Sequence, residues 1–178
     1  TLIIENKEVE SFDEVNCKNI HFKNCKFAPC YKYGFLSDSV VENITFENCL
    51  WWDCTITNTH FKNVKFINTI IDNNILFSDC IFENMTYKNS LMNMLGISDC
   101  VIKDTDFTNQ EYFFLQCTTA EVTENLYNNN NLFNNFEEYL KQNKDKLVIP
   151  WYTMTFDNCK ISMESIKKLL EYSNKIDP

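Results

Sequence analysis

The feature of this sequence that most constrains its fold is a period of five residues. From residue 42 to residue 107 the chain divides into thirteen consecutive units of five, with Phe77 as one extra residue after the seventh unit. The fifth residue of every unit is large and apolar: Phe46, Trp51, Ile56, Phe61, Phe66, Ile71, Leu76, Phe82, Tyr87, Met92, Ile97, Ile102 and Phe107. A period of five matches neither an α-helix nor a β-strand. The pattern therefore predicts a repeat architecture.

The other positions of the unit indicate how the chain turns. The second residue is Asn or Asp in twelve of the thirteen units, the exception being Met94. Asn and Asp tolerate left-handed backbone angles and bond to their own backbone, so they can replace glycine at a corner. The third residue is mostly small or slim, as at Cys49, Cys80 and Cys100. We expect a coil of four sides, each pointing one large and one small side chain inward.

Stacked coils of this kind would form the core and the fold together. Four sides make a coil of about twenty residues, and neighbouring coils would pair about 4.8 Å apart. Residues one coil apart, such as Phe46 and Phe66, would then align in internal columns. The predicted structural core consists of Phe46, Trp51, Phe61, Phe66, Phe82, Tyr87 and Phe107. The sequence thus predicts an all-β solenoid of about four to five coils.

The boundaries of the repeat divide one domain into segments. We predict repeat coils at 18–27, 42–107 and 152–161, a loop at 28–41, an insertion at 108–150 and a helix at 162–174. Ser162 fits the N-cap of this C-terminal helix. Because the last coil of a solenoid exposes unpaired backbone, we expect the helix to cap that end. A homodimer contact through the same helix is the alternative.

The insertion contains a segment with helical spacing. Phe133, Phe136, Tyr139 and Leu140 fall on one face of the segment 132–143, which predicts a short amphipathic helix. The helix either packs over an open face of the solenoid or forms a recognition arm for a partner. In the second case these four residues are the predicted partner-binding residues.

Triplets of a small residue, any residue and a large apolar residue resemble the pentapeptide-repeat family. The matching triplets are Cys25–Lys26–Phe27, Cys49–Leu50–Trp51, Thr59–His60–Phe61, Val64–Lys65–Phe66 and Cys159–Lys160–Ile161. The resemblance covers over half of the chain and implies a right-handed, four-sided β-helix. It implies a fold and leaves the function open.

No residue set in the sequence indicates catalysis, a metal or a cofactor. His21 and His60 fall at outward positions, and no Cys–His or Ser–His–acid set has supporting spacing. The cysteines include no C-x-x-C pair, which weakens a zinc site. Cys80 and Cys100 lie one coil apart and are the best disulfide candidates, although we expect buried free thiols. We predict a protein that is not an enzyme.

The net charge of −9 is unevenly distributed. Residues 1–15 hold five acids and one Lys, residues 16–110 ten acids and eight Lys, and residues 111–150 six acids and three Lys. Because nucleic acids and anionic membranes attract basic patches, we expect neither as a direct partner. Inward-facing cysteines, no signal peptide and no apolar segment of membrane-spanning length predict a cytoplasmic protein.

The function that we expect is a scaffold that binds a protein partner through its flat faces and the 108–150 insertion. The family resemblance adds two alternatives: a DNA-mimic modulator of a type II topoisomerase that protects gyrase, or a receptor-like extracellular repeat module. DNA mimicry needs continuous negative charge along the coils, and the near balance of charge over 16–110 weakens it.

Overall fold

The structure is a computed structural model that describes nine ranges of the chain. These are residues 1–9, 12–13, 15–27, 36–52, 55–88, 90–105, 115–117, 148–150 and 156–168. The strands are β1 (Leu2–Glu5), β2 (Glu8–Val9), β3 (Phe12–Asp13), β4 (Asn16–Lys23), β5 (Lys26–Phe27), β6 (Leu36–Ser37), β7 (Val40–Glu47), β8 (Leu50–Trp52), β9 (Thr55–Thr57), β10 (His60–Ile67), β11 (Ile70–Ser78), β12 (Ile81–Lys88), β13 (Leu91–Ser98), β14 (Val101–Lys103), β15 (Leu115–Cys117), β16 (Val148–Pro150), β17 (Phe156–Asp157) and β18 (Lys160–Ile161). One short helix, α1, spans residues 163–168.

Two parallel sheets hold most of these strands. Sheet 1 has the order β1-β4-β7-β10-β12-β14-β18, and sheet 2 has the order β2-β5-β8-β11-β9-β6-β3, with β13 pairing β11 and β17. The order of strands in sheet 1 follows the chain, which passes through sheet 2 between most of them. This winding makes the described part of the chain an all-β solenoid with one short helix. The coil count differs from the predicted four to five, because seven strands already stack in sheet 1.

Asn and Asp residues form the corners of the winding. In the described ranges every non-glycine residue with positive φ is Asn or Asp, with φ between 46° and 56°. Asn58, Asn63 and Asn68 follow one another at intervals of five residues. These residue types bear left-handed backbone angles at low cost because their short side chains bond locally. The role predicted for the second position is confirmed at these residues.

Aromatic rings stack inside sheet 1. Phe22, Phe46, Phe66 and Tyr87 pair in register on four successive strands, with centroids of neighbouring rings 5.1–5.3 Å apart. Trp51 of β8 meets the ring of Phe46 edge-on at 4.9 Å. All five side chains are buried. The core therefore runs along the inside of the coils, where each ring touches its counterparts one coil away.

The small inward residues join one coil to the next by hydrogen bonds. The Thr69 hydroxyl donates to the carbonyl two residues earlier at 3.0 Å and accepts the N–H of Cys49 at 3.3 Å. The Ser90 hydroxyl accepts the N–H of Thr69 at 3.3 Å, and the Cys100 sulfur accepts the N–H of Cys80 at 3.3 Å. Because a buried N–H without an acceptor is costly, these side chains stabilise the fold by hydrogen bonding as well as by packing.

One inward position was predicted wrongly. The sequence favours Leu76 as the inward residue and Phe77 as the extra residue, whereas Phe77 is buried in the core and pairs with Ile56. The register of β11 with β13 shifts between Ile71 and Leu76. The additional residue is therefore absorbed as a bulge in that stretch. Leu and Phe suit an inward site equally well, so composition cannot place the bulge.

The predicted loop at 28–41 is too long. Leu36–Ser37 forms β6, which pairs with β9, and β7 already begins at Val40. The side chains of Leu36 and Val41 are buried in the core, and residues 28–35 lie outside the described residues.

Strands also precede the first predicted coil at 18–27. β1 pairs with β4, with Leu2 in register with Ile20. The five-residue pattern is weak here because Cys17, a small residue, takes the inward position that Val41 takes on the next strand.

Helix α1 closes the last described coil. The Ser162 hydroxyl accepts the N–H of Ser165 at 3.3 Å, as an N-cap does, and also the N–H of Asp104 at 3.3 Å. The Ser165 hydroxyl is buried and accepts the N–H of Thr105 at 3.0 Å. The helix thus supplies acceptors that another coil would otherwise supply. Of the predicted helix at 162–174, residues 169–174 lie outside the described residues.

Candidate functional site

The interior of the coils is filled by the side chains of the repeat itself. The structure buries Phe46, Trp51, Phe61, Phe66, Phe82 and Tyr87 in one hydrophobic cluster, and Phe107 lies outside the described residues. A cavity of about 20 Å³ adjoins this cluster and has an apolar lining that includes Val15 and Leu36. Sites for small molecules usually measure about 300–1,000 Å³. This cavity is therefore too small for a substrate.

Four of the cysteines in the described ranges lie along the inner wall as free thiols. Cys25, Cys49, Cys80 and Cys100 are buried, and each donates its S–H to the carbonyl two residues earlier, at 3.1–3.4 Å. Cys80 and Cys100 are neighbours, as their spacing predicts. Burial raises the pKa of the Cys49 thiol well above its usual range. Since the thiolate is the reactive form, the Cys49 thiol is a poor nucleophile.

Two histidine–glutamate pairs lie on the outside of sheet 1. His21 Nε2 is 2.7 Å from Glu47 Oε2, and His60 Nε2 is 3.2 Å from Glu83 Oε2. Each pair joins neighbouring strands, which gives these histidines a structural role. Within the described ranges, no group of three or more His, Cys, Asp or Glu side chains is arranged to hold a metal ion.

Charges of alternating sign run along the outer surface of sheet 1. In register on five successive strands are Lys18, Glu42, Lys62, Glu83 and Lys103. Glu42 lies 2.9 Å from the Lys18 ammonium and 4.0 Å from that of Lys62. The hydrogen bond and charge of Lys18 are the main causes that lower the pKa of Glu42. Parallel stacking places these side chains directly opposite one another, where like charges would repel.

A column of asparagines crosses the middle of the same surface. It consists of Asn19, Asn43, Asn63 and Asn84, and the Nδ2 of each of the last three donates to the Oδ1 of the preceding asparagine, at 3.1, 3.0 and 2.7 Å. Each of the four also has left-handed backbone angles. The amide ladder holds four corners in line, and the strands of sheet 1 turn from one side of the coil to the next at these corners.

Lysines are concentrated on the C-terminal half of this surface. The outward residues of β10, β12, β14 and β18 include five lysines and one acid, Glu83. Among them, Ile81 and Val101 pair in register and are 40% and 38% exposed. We name these outward residues the basic patch, which comprises Lys62, Ile81, Val101, Lys103 and Lys160 on one side of the asparagine column and Lys65 and Lys88 on the other side of it.

The basic patch combines exposed aliphatic and charged side chains. Ile81 and Val101 are the first residues of β12 and β14, so they lie at one edge of the patch. Asp79 and Asp99 border the patch at two corners, where they accept hydrogen bonds from Ser78 and Asn158. We take the basic patch as the candidate functional site.

The outer surface of sheet 2 is different. Leu50 of β8 occupies an outward position and lies outside the hydrophobic cluster, yet its side chain is 0% exposed. Some part of the chain therefore covers this surface at Leu50. From the 108–150 insertion the structure describes β15 and β16, which pair with each other, and β15 lies beside β13 of sheet 2. The predicted partner-binding residues Phe133, Phe136, Tyr139 and Leu140 lie outside the described residues.

The sequence did not predict the basic patch, because its lysines are concentrated in only one half of sheet 1. The region 16–110 has nearly balanced charge, and this average hides the lysines that gather on β10 to β18. The signal was present in the first and fourth positions of the units. These positions must be compared at intervals of one coil, which requires the true register of the strands.

Comparisons with known proteins add little to this geometry. The described part of the chain has no helix long and apolar enough to cross a membrane. No protein-family model matches the sequence, and no curated protein matches it either. Among solved structures, the chain is similar to a trypsin-treated variant of QnrB1, a plasmid-mediated fluoroquinolone resistance protein. The alignment covers 94% of this chain and 97% of that one, at 6% identity and a TM-score of 0.17.

Proposed function

We propose that this chain is a non-enzymatic scaffold that binds a protein partner through the outer surface of sheet 1, with the 108–150 insertion as a second contact. The observation that carries the proposal is the basic patch, which combines two exposed aliphatic side chains with five lysines on the outside of the coils. The backbone beneath the patch is held by parallel pairing and by the asparagine ladder. Binding to such a surface orders few additional groups, which lowers its entropic cost.

The coil that we propose is the right-handed, four-sided form of the pentapeptide-repeat family. Left-handed Asn and Asp residues at intervals of five support four sides. Pairing of Phe46 with Phe66, and of Phe66 with Tyr87, supports a coil of about twenty residues. A crystal structure tests this form, and a left-handed winding or a three-sided coil would contradict it.

We also propose that the protein works in the cytoplasm and lacks catalytic activity. The buried thiols of Cys25, Cys49, Cys80 and Cys100 support a reducing compartment. Titration of the denatured protein, isolated from its own cells, should find all nine cysteines as free thiols. A disulfide in that protein would contradict the cytoplasmic location. Neither nucleic acid nor a membrane is a partner that we propose.

A steric variant tests whether the outer surface of sheet 1 is used. Thr86→Trp places a bulky ring on the outer surface of β12 without a change of charge, and Thr57→Trp is the matched control on β9 of sheet 2. We expect affinity capture from a lysate of the source cells to recover a partner with the wild type and with Thr57→Trp. Thr86→Trp should lose it. Equal recovery by both variants would show that the partner does not use this surface.

The DNA-mimic alternative requires a different surface. The outer surface of sheet 1 carries seven lysines and four glutamates in the described strands, which counts against mimicry there. A supercoiling assay with DNA gyrase and micromolar amounts of the protein separates the two functions. Protection or inhibition of gyrase would favour the DNA mimic over the scaffold.

A further inference from the structure

We infer that a second copy of this chain binds to the outer surface of sheet 1, on one side of the asparagine column, with a two-fold axis between the copies. This inference goes beyond the proposed scaffold function, because the partner is the chain itself. It follows from a column of alternating charges, a neighbouring column with exposed aliphatic side chains, and the match of both columns to their own reversed order.

Two outward columns form this surface, which we name the alternating face. The first column consists of Lys18, Glu42, Lys62, Glu83 and Lys103, in register on five successive strands. The second column lies two residues earlier on the same strands and includes Val40, His60, Ile81 and Val101. Because side chains two residues apart on a strand point to the same side, both columns face outward together.

The charges of the alternating face are only partly compensated within the chain. Lys103 is exposed, and in the described ranges no carboxylate lies within 4.0 Å of its ammonium group. The Lys62 ammonium reaches a carboxylate oxygen of Glu42 only at 4.0 Å, and Glu83 contacts His60 at 3.2 Å. These charges can therefore accept further partners of opposite sign from outside the chain.

The alternating face is complementary to itself. If a two-fold axis runs parallel to the strands between β10 and β12, the order of the coils is reversed in the second copy. Lys62 then faces Glu83 of the second copy, and Glu42 faces Lys103 of the second copy. Symmetry makes each of these contacts twice, and the assembly closes at two copies because both use the same surface.

The exposed aliphatic side chains favour this position of the axis. With the axis between β10 and β12, Val101 faces Val40 of the second copy, and Ile81 faces His60 of the second copy. Ile81 and Val101 are 40% and 38% exposed in one chain, and this contact would remove water from both. A shift of the axis onto β10 or onto β12 would instead place like charges opposite each other, which is costly.

The area of the alternating face predicts a weak dimer. One side of the coil is about five residues or 16 Å wide, and the six strands from β4 to β18 in sheet 1 span about 24 Å. The resulting area of about 400 Å² per copy is about half of what each partner buries in a standard stable interface. We therefore expect association that depends on concentration.

Sedimentation velocity of the purified chain, from about 10 μM to about 1 mM, tests the self-association. The wild type should shift from monomer toward dimer across this range. Lys62→Glu and Glu83→Lys each place like charges across the two-fold axis and should weaken association about tenfold or more. An equimolar mixture of these two variants should associate again, because they then carry opposite charges at both positions.

Variants on the other side of the asparagine column provide the matched control. Lys65→Glu and Glu47→Lys make the same changes of charge outside the alternating face, and each should associate like the wild type. Val101→Thr keeps a β-branched side chain and should weaken association severalfold. Circular dichroism confirms that each variant is folded.

Three outcomes would overturn the inference or the scaffold function separately. A wild type that stays monomeric at about 1 mM would refute the dimer and leave the scaffold function standing. Equal weakening by Lys62→Glu and Lys65→Glu, or a mixture of Lys62→Glu and Glu83→Lys that stays monomeric, would refute the alternating face as the interface. The scaffold function fails on its own if affinity capture with the wild type recovers no other protein, whatever the oligomeric state.

Discussion

The inner and outer surfaces of sheet 1 are formed by the same strands and obey different constraints. On β10, Phe61, Val64 and Phe66 point inward and are buried, while Lys62 and Lys65 point outward. Inward columns repeat one class of residue from coil to coil, because each ring packs on its counterparts above and below. Outward columns need only avoid like charges on neighbouring strands.

Substitutions on the inner and outer surfaces of the coils have different consequences. Changes on the inside alter the contacts of several coils at once, since core side chains are close-packed. The outside can change charge and shape while the coils stay the same. In a solenoid of this kind, the inward side chains therefore determine the fold, and the outward side chains can vary with less effect on it.

The largest difference in stability between the two surfaces is expected from a pair of neighbouring truncations on β10. Phe66→Ala should lower the free energy of unfolding by about 3–5 kcal/mol, because it removes a buried ring. That ring stacks between Phe46 and Tyr87, with centroids 5.2 and 5.1 Å away. Lys65→Ala, one residue earlier and exposed, should change it by less than about 0.5 kcal/mol. Urea denaturation measures both, and similar losses would break the distinction between the two surfaces.

A second test asks whether the polar groups at the end of the core matter as much as its apolar columns. Ser165→Ala leaves the N–H of Thr105 without its acceptor and should cost about 1–3 kcal/mol. Met163→Ala, on the exposed side of the same helix, is the control. Faster hydrogen exchange at the Thr105 amide should accompany the loss. If both variants exchange like the wild type, α1 does not seal the coil.

A third test separates backbone from side chain at a corner. Asn63→Ala forces alanine into left-handed angles, at about 1–2 kcal/mol, and also removes the bonds to Asn43 and Asn84. Asn63→Gly tolerates the angles and removes the same bonds. The glycine variant should therefore unfold at a higher urea concentration than the alanine variant. The reverse order would mean that corner geometry is not the reason for asparagine.

The smallest effect is expected from an ion pair on the outer surface. The pKa of Glu42 is lower in the folded protein, chiefly because of Lys18, so the pair stabilises the fold above the ordinary carboxyl pKa. That contribution is lost as pH falls through the lowered folded-state pKa. Lys18→Met should raise the pKa of Glu42 toward its usual range, as an NMR titration would report. Lys65→Met should leave it unchanged.

Much of this fold is predictable from a five-residue period because the inward sites accept few residue types. The aromatic column through Phe46, Phe66 and Tyr87 and the corner asparagines follow from that period. The bulge near Phe77 does not, because neighbouring Leu and Phe compete for one inward site. The five-residue pattern is weak in the first coils because the slim residue Cys17 stands where a large one is expected.

The candidate site is less predictable because outward residues gain meaning only through register. Lys18 and Glu42 are 24 residues apart but Glu42 and Lys62 only 20, so a fixed interval does not reveal the charge column. The hydrogen bonds of Thr69 and Ser90 are also hidden, since small size alone explains their position in the sequence. The basic patch becomes visible only when β10 to β18 are laid side by side.

Closure of one end by α1 limits how copies of this protein could assemble. Ser162 and Ser165 already occupy the backbone donors of residues 104 and 105, so another copy cannot continue the stack there as one coil continues another. An open-ended fibre grows only when each subunit offers two complementary ends. Helix α1 therefore prevents growth of the stack at this end of the described coils, in addition to covering the last of them.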